Sequence, residues 1–350
     1  MASREANVTQ RAERSGPILQ TVELGAQWPT IDPFLFVAHH HDDYPKGNGR
    51  LGPDAPLSGR NIGQDFSGND GWSMYHGDEV PGFPRHPHRG FETITYVRRG
   101  LIDHADSLGA TARFGRGDSQ WMTAGAGIQH AEMFPLTQNN KANPLELFQI
   151  WLNLPAADKM VPPYFTMLWN EQTPRVTPAA GVEVTVIAGR LGDAEPQSPP
   201  PHSWASNPDA DLAIWHIRLD PGASWTMPAA QRSDTQRVLY AFEGSTLAVA
   251  GTEVDAGTGV LLQADIGVEL VAGPGGMECL LMQGRPIGEP VARHGPFVMN
   301  TEDQIHEAYA DYEATRFGGW PWSSPSPNHG ADADRFAIHA DGRREQLAVT

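Results

Sequence analysis

"FPRHPHRGFETITY", residues 83–96, sets His86 and His88 one residue apart in a run that reads as a strand. Residues two apart on a strand point to the same face, so both imidazoles can aim at one point inside a barrel. A second pair with this spacing, His130 and Glu132, closes the run "GDSQWMTAGAGIQHAEM". Three imidazoles and one carboxylate suit Fe(II), Mn(II), Ni(II) or Zn(II), all of which accept mixed nitrogen and oxygen ligands. Four ligands leave positions open on a six-coordinate ion. Either pair alone is a weak signal. Two pairs, each beside a glycine-rich turn in one β-rich region, make a considerably stronger one.

Outward from these pairs, residues 91–154 break into short runs of alternating apolar and polar residues divided by Gly and Asp-Ser turns, the pattern of antiparallel hairpins. A second block repeats it. "RVLYAFEGS" lines up with "TITYVRRGL", and "TEVDAGTGVLLQA" with "ATARFGRGDSQWMTA", which predicts two copies of one β-barrel. The second copy has "MPAAQRSDTQRVLY" where the first has its histidine pair, so no metal is expected there. "NTEDQIHEAYADYEATRFGG" predicts a helix with Thr301 as N-cap, Gln304 completing a capping box, and Ile305, Ala308, Tyr309 and Tyr312 on its packing face.

The bulk numbers agree with a strand-dominated globular chain: 350 residues, 39% hydrophobic, 19% charged, with 37 Gly and 30 Pro. A formal charge of −17 without a basic stripe argues against direct nucleic-acid binding. Cys279 is the single cysteine, so no intrachain disulfide can form. "MASREANVTQRAERSGP" has no apolar signal core and no run reaches membrane-spanning length. A soluble, cytoplasmic protein is expected.

"HPHRGFETITY", "GDSQWMTAGAGIQHAEM", "LFQIWLNLPAADKMVPPYF" and "GRPIGEPVARHGPFVMNTEDQI" together resemble the pirin family of the cupin superfamily, from about Ile18 to about Trp322. The resemblance implies an all-β bicupin: two tandem jelly-roll-type cupin barrels with a C-terminal helix. The expected division is a flexible leader 1–17, a metal-binding barrel 18–160 carrying a long loop 42–85, a metal-free barrel 161–300, a helix and WPW segment 301–322, and a polar, mobile tail 323–350. The resemblance also implies His86, His88, His130 and Glu132 as ligands, Fe(II) first, with Mn, Ni, Co or Zn as alternatives.

Glu92 stays open on spacing alone, because it lies four residues after His88 and shares the phase that Glu132 has with His130. The resemblance favours Glu132 as the ligand and Glu92 as a hydrogen-bond partner behind it; either could act as a general base. "AHHHDDY" (residues 38–44) reads as a solvated turn flanking the long loop, or as the rim of a pocket. Trp121 and Met122 read as pocket wall or plain core. Within the long loop, Trp72, Met74 and Tyr75 are placed to cover a site mouth; a disordered loop is the competing reading.

Two classes of function follow from the resemblance. One is a quercetin-type dioxygenase taking a flavonol-like substrate and O2, with Glu132 or Glu92 receiving the substrate's proton. The other is an iron-dependent, redox-responsive regulator acting through a protein partner. A cupin oxygenase or isomerase of another substrate is the third, since the fold does not fix the reaction.

Overall fold

The computed structural model describes residues 16–332 and 334–346. The leader expected over 1–17 falls, apart from Gly16 and Pro17, outside that range. Two barrels are built from facing antiparallel sheets. In the first, a five-stranded sheet runs in the spatial order Tyr164–Leu168, Ser119–Thr123, Phe91–Arg99, Leu145–Asn153, Phe34–Asp42. Opposite it, Gly82–His88, Ile128–Met133, Leu101–Asp106 and Thr111–Gly115 lie side by side. Val97, Ile102, Phe114, Met122 and Leu147 fill the space between.

Phe91–Arg99 explains why the barrels pack as they do. Thr93, Thr95 and Val97 share one face by strand parity, and Ile94 and Tyr96 the other. Both faces are buried, because the outer one meets the second barrel rather than water. Ile94, Tyr96, Phe148 and Ile150 form one core cluster with Ile214, Tyr240, Leu280 and Met282. The second barrel's seven-stranded sheet repeats the order: Thr258–Leu262, Gln236–Gly244, Met277–Gly284, Ala213–Leu219. The two cupin barrels read from the repeated text are therefore present, stacked sheet to sheet.

Three expectations change. The barrels do not divide the chain at one point: Ile18–Glu23 leaves the first barrel and pairs with Thr258–Leu262 of the second. Pairing follows the sheet edge that can bury a strand's apolar face, which sequence order does not reveal. The long loop is not loose, since Tyr44, Trp72 and Met74 are buried in the first barrel's core. Asp42 accepts from Ser73 N and Tyr75 Oη, and Arg60 lies 3.4 Å over the Trp72 ring.

Over its described residues, 323–332 and 334–346, the tail expected to be mobile is docked on the first barrel. Pro325 O accepts from Arg85 N, Trp322 Nε1 donates to Asp106 O, and Phe336–Ile338 pairs with Thr111–Gly115. It thereby contacts both edges of the sheet that carries the histidines, covering backbone groups that would otherwise be free to pair elsewhere. The predicted helix spans Glu302–Thr315 with the Thr301–Gln304 capping box in place, and it buries Ile305 and Ala308.

Candidate metal centre

Gly82–His88 is an edge strand whose register shifts between Phe83 and His86, a setting that tolerates Pro84 and Pro87. It pairs with Ile128–Met133 so that His86 stands directly opposite His130. The histidines expected from the two strands therefore meet at one place. His86, His88 and His130 bring their ligand nitrogens within 4.8 Å of one another. Ring centroids lie 4.4 Å apart for His86 and His130, and 4.8 Å for His86 and His88.

The chain just beyond His88 is held from three sides. Gly90 has φ +84°, and a Cβ there would sit 2.0 Å from Val298 O, so only glycine fits the turn. Lys159 Nζ donates to Gly90 O and to Asn153 Oδ1. Arg89 donates to Ala126 O and pairs with Asp311 on the helix at 2.8 Å. The "HPHRG", "PAADK", "RHGPFV" and helix segments thus converge on one turn.

Hydrogen bonds set the tautomers. His86 Nδ1 donates to Pro84 O at 2.9 Å and His88 Nδ1 to Pro296 O at 3.4 Å, which leaves each Nε2 with a free lone pair. Burial pushes the His86 imidazole down to about 4, and holds His88 and His130 well below the usual histidine range. All three are neutral at pH 7, as ligation requires. Glu132 is also buried, and burial raises its carboxyl above the ordinary value. Its Oε2 lies 3.8 Å from His130 Nε2, and its Oε1 is 2.9 Å from Thr95 Oγ1.

A fit to a metal can be read from one atom pair. Both nitrogens of His130 are buried without a hydrogen-bond partner. Leaving such groups unpaired costs about 1–3 kcal/mol each, and a divalent ion among His86, His88, His130 and Glu132 would satisfy Nε2 directly.

Glu92 is not brought into this site. The strand that carries His88 ends there and a new one begins at Phe91 in the opposite sheet, so the phase counted from His88 is lost at the Gly90 turn. Glu92 shares the face of Ile94 and Tyr96, opposite to Thr95. Its carboxylate accepts from Thr123 Oγ1 at 2.7 Å and Ser203 Oγ at 2.5 Å. Desolvation, partly offset by these bonds, raises it to about 7. It ties the first barrel to the segment between Val182–Ala188 and Ala213–Leu219 of the second barrel's sheet.

The centre opens into a cavity of about 590 Å³ walled by Phe36, Phe66, Tyr75, Phe83, Phe134 and Trp151, with Thr95 and Gln149 as polar neighbours of Glu132. Of the long loop's candidates only Tyr75 reaches this cavity; Trp72 and Met74 are core, as are Trp121 and Met122. Phe66, another loop residue that reaches it, is 58% exposed. Thr95, Gln149 and Phe66 were not legible as site residues: the first two show only through cross-strand register (Thr95 opposite Gln149). The stretch "AHHHDDY" lies largely within the strand Phe34–Asp42 rather than in a turn. His40 packs edge-on to Tyr75, while His39 Nε2 bonds Glu146 Oε1 at 3.0 Å. Among the described residues no group of three potential ligands lies in the second barrel, and no helix is long and apolar enough to cross a membrane.

Known proteins agree with this architecture. Residues 18–152 match the Pirin family and residues 214–318 the Pirin C-terminal cupin domain. The chain is 38% identical over 237 residues to the "Putative quercetin 2,3-dioxygenase" PA3240 of Pseudomonas aeruginosa, covering 67% of this chain and 80% of that one. It is 34% identical over 249 residues to human pirin, covering 70% and 80%. Its fold matches the crystal structure of quercetin 2,3-dioxygenase from Acinetobacter baumannii with a TM-score of 0.69 at 24% identity, over 87% of this chain and 99% of that one. The chain belongs to the pirin family of bicupins.

Proposed function

We propose that this pirin is a metal-dependent dioxygenase that opens the heterocycle of flavonol-like substrates with O2, with His86, His88, His130 and Glu132 holding Fe(II). The observation that carries the reading is the convergence of three imidazole groups, with the Glu132 carboxylate 3.8 Å from His130 Nε2, beside an aromatic-walled cavity of about 590 Å³. The cavity is within the size range of small-molecule sites. The naming of a 38% identical relative as a quercetin 2,3-dioxygenase supports the same substrate class. Mn, Ni, Co or Zn would suit the same ligands.

A bound divalent ion supplies a Lewis-acid centre that lowers the pKa of a flavonol hydroxyl chelated beside its carbonyl. The chain's own residues do the rest. Glu132 receives the hydroxyl proton as general base. Thr95 and Gln149 hold that carboxyl in place. Phe36, Tyr75, Phe83 and Trp151 offer flat apolar faces to the substrate rings and limit water around the reacting carbons.

The test is direct. Protein loaded anaerobically with Fe(II) and mixed with quercetin and O2 is expected to consume the flavonol absorbance and release CO, and a His88→Ala variant to do neither. Equal turnover by wild type and variant refutes the proposal.

A further inference from the structure

The strand Phe34–Asp42 carries a second histidine pair of the same spacing as His86 and His88. His39 and His41 share one face, and the residue directly opposite His41 on the neighbouring strand is Glu146. The deep centre is built the same way, from an alternating histidine pair on one edge strand and a ligand placed opposite one of them. Here too the three ligand atoms lie within 4.8 Å of one another. We propose that His39, His41 and Glu146 form a second, shallower site for a borderline divalent ion such as Zn2+, at the rim of the cavity.

Two of the three groups are already fixed. The His39 ring stacks on Phe148 at 4.5 Å and meets Phe242 edge-on at 5.2 Å. Glu146 is fully buried, and its Oε1 accepts from His39 and from Arg98. An ion pair with His39 and Arg98 would account for Oε1 alone. Oε2 is buried without a hydrogen-bond partner, its nearest cation being Arg99 Nε at 3.5 Å. Such an oxygen is open to a metal.

His41 is exposed and lines the same cavity, so an ion can enter and keep water in its remaining position. Charge permits it. Arg98 is shared among Glu146, Glu243 and Glu278, so with Arg99 the three carboxylates face two guanidinium groups. Two imidazoles and a carboxylate form a ligand set that zinc accepts readily.

The experiment is equilibrium dialysis of metal-stripped full chain against Zn2+, read by elemental analysis. Wild type is expected to bind two equivalents, His41→Ala one, and His130→Ala one. His41 is on the surface, so its replacement leaves the core intact; unchanged thermal unfolding of the metal-free variant checks this. If His41→Ala retains the full wild-type stoichiometry, the rim site does not exist. If zinc is lost in His41→Ala but not in His130→Ala, the rim site stands and the deep centre fails, so the two outcomes are separable.

Discussion

The hydroxyl of Thr95 lies 2.9 Å from Oε1 of Glu132 and, on its other side, 2.8 Å from Oε1 of Gln149. A hydroxyl has one proton to give. Both contacts are satisfied when Glu132 carries a proton and donates it to Thr95, or when the Gln149 amide turns to donate and Thr95 donates to the carboxylate. Thr95 can therefore serve Glu132 in either protonation state, as a carboxyl that exchanges a proton with substrate requires. Thr95→Val keeps the volume and removes this bond. The expected result is a metal affinity lower by about 10-fold, the near edge of what such supporting bonds contribute, with thermal unfolding of the metal-free protein within a few degrees of wild type. Competition against a chromophoric chelator measures it, and an unchanged affinity would show that Thr95 does not position Glu132.

Glu92 predicts a pH dependence of stability. Burial raises its carboxyl to about 7 in the folded chain, against an ordinary value near 4.5 when unfolded. The folded state then binds the extra proton, so the stability from this group is fully present below about pH 4.5 and is lost as pH rises through about 7. The shift corresponds to roughly 3 kcal/mol. Urea unfolding of wild type and Glu92→Gln, at pH 5 and pH 8, checks the sign: the wild-type loss between the two should exceed the variant's.

Phe66 stands at the cavity mouth against Tyr75, with ring centroids 5.4 Å apart, and is largely exposed. Phe66→Ala should leave thermal unfolding unchanged and raise the KM for a flavonol about fivefold, equivalent to roughly 1 kcal/mol of lost apolar contact. Steady-state kinetics on the Fe(II)-loaded protein decide it; an unchanged KM would place the substrate elsewhere.

The docked tail should matter to the centre although it supplies no ligand. Trp320 onwards contacts Arg85, one residue before His86, and pairs with Thr111–Gly115 at the far edge of the same sheet. Truncation after Gly319 is expected to lower the thermal midpoint by at least about 4 °C and to weaken metal binding. Calorimetry with and without metal measures both effects. Equal midpoints for the full and truncated chains would make the tail a passenger.

Much of the site was legible because its information is local. His86 and His88 share a strand, as do His130 and Glu132, and parity within a strand is a property of the sequence itself. Glu92 was not resolvable this way, since the count from His88 crosses Gly90, where the chain leaves one sheet for the other. Likewise Ile18–Glu23 alternates as a strand does, yet its partner Thr258–Leu262 lies some 240 residues away. Glu146 has no signal at all until His41 is placed opposite it. Tail residues such as Pro325 and Phe336 looked solvated by composition, whereas two unpaired sheet edges gave them somewhere to bind.

The central claim is that one divalent ion sits among His86, His88, His130 and Glu132. Iron content after anaerobic Fe(II) loading and desalting tests it most directly, measured in a His41→Ala background so that the rim cluster is not counted. One equivalent of iron per chain, lost when His130→Ala is added, is the predicted result. Equal iron in the single and double variants would contradict the account.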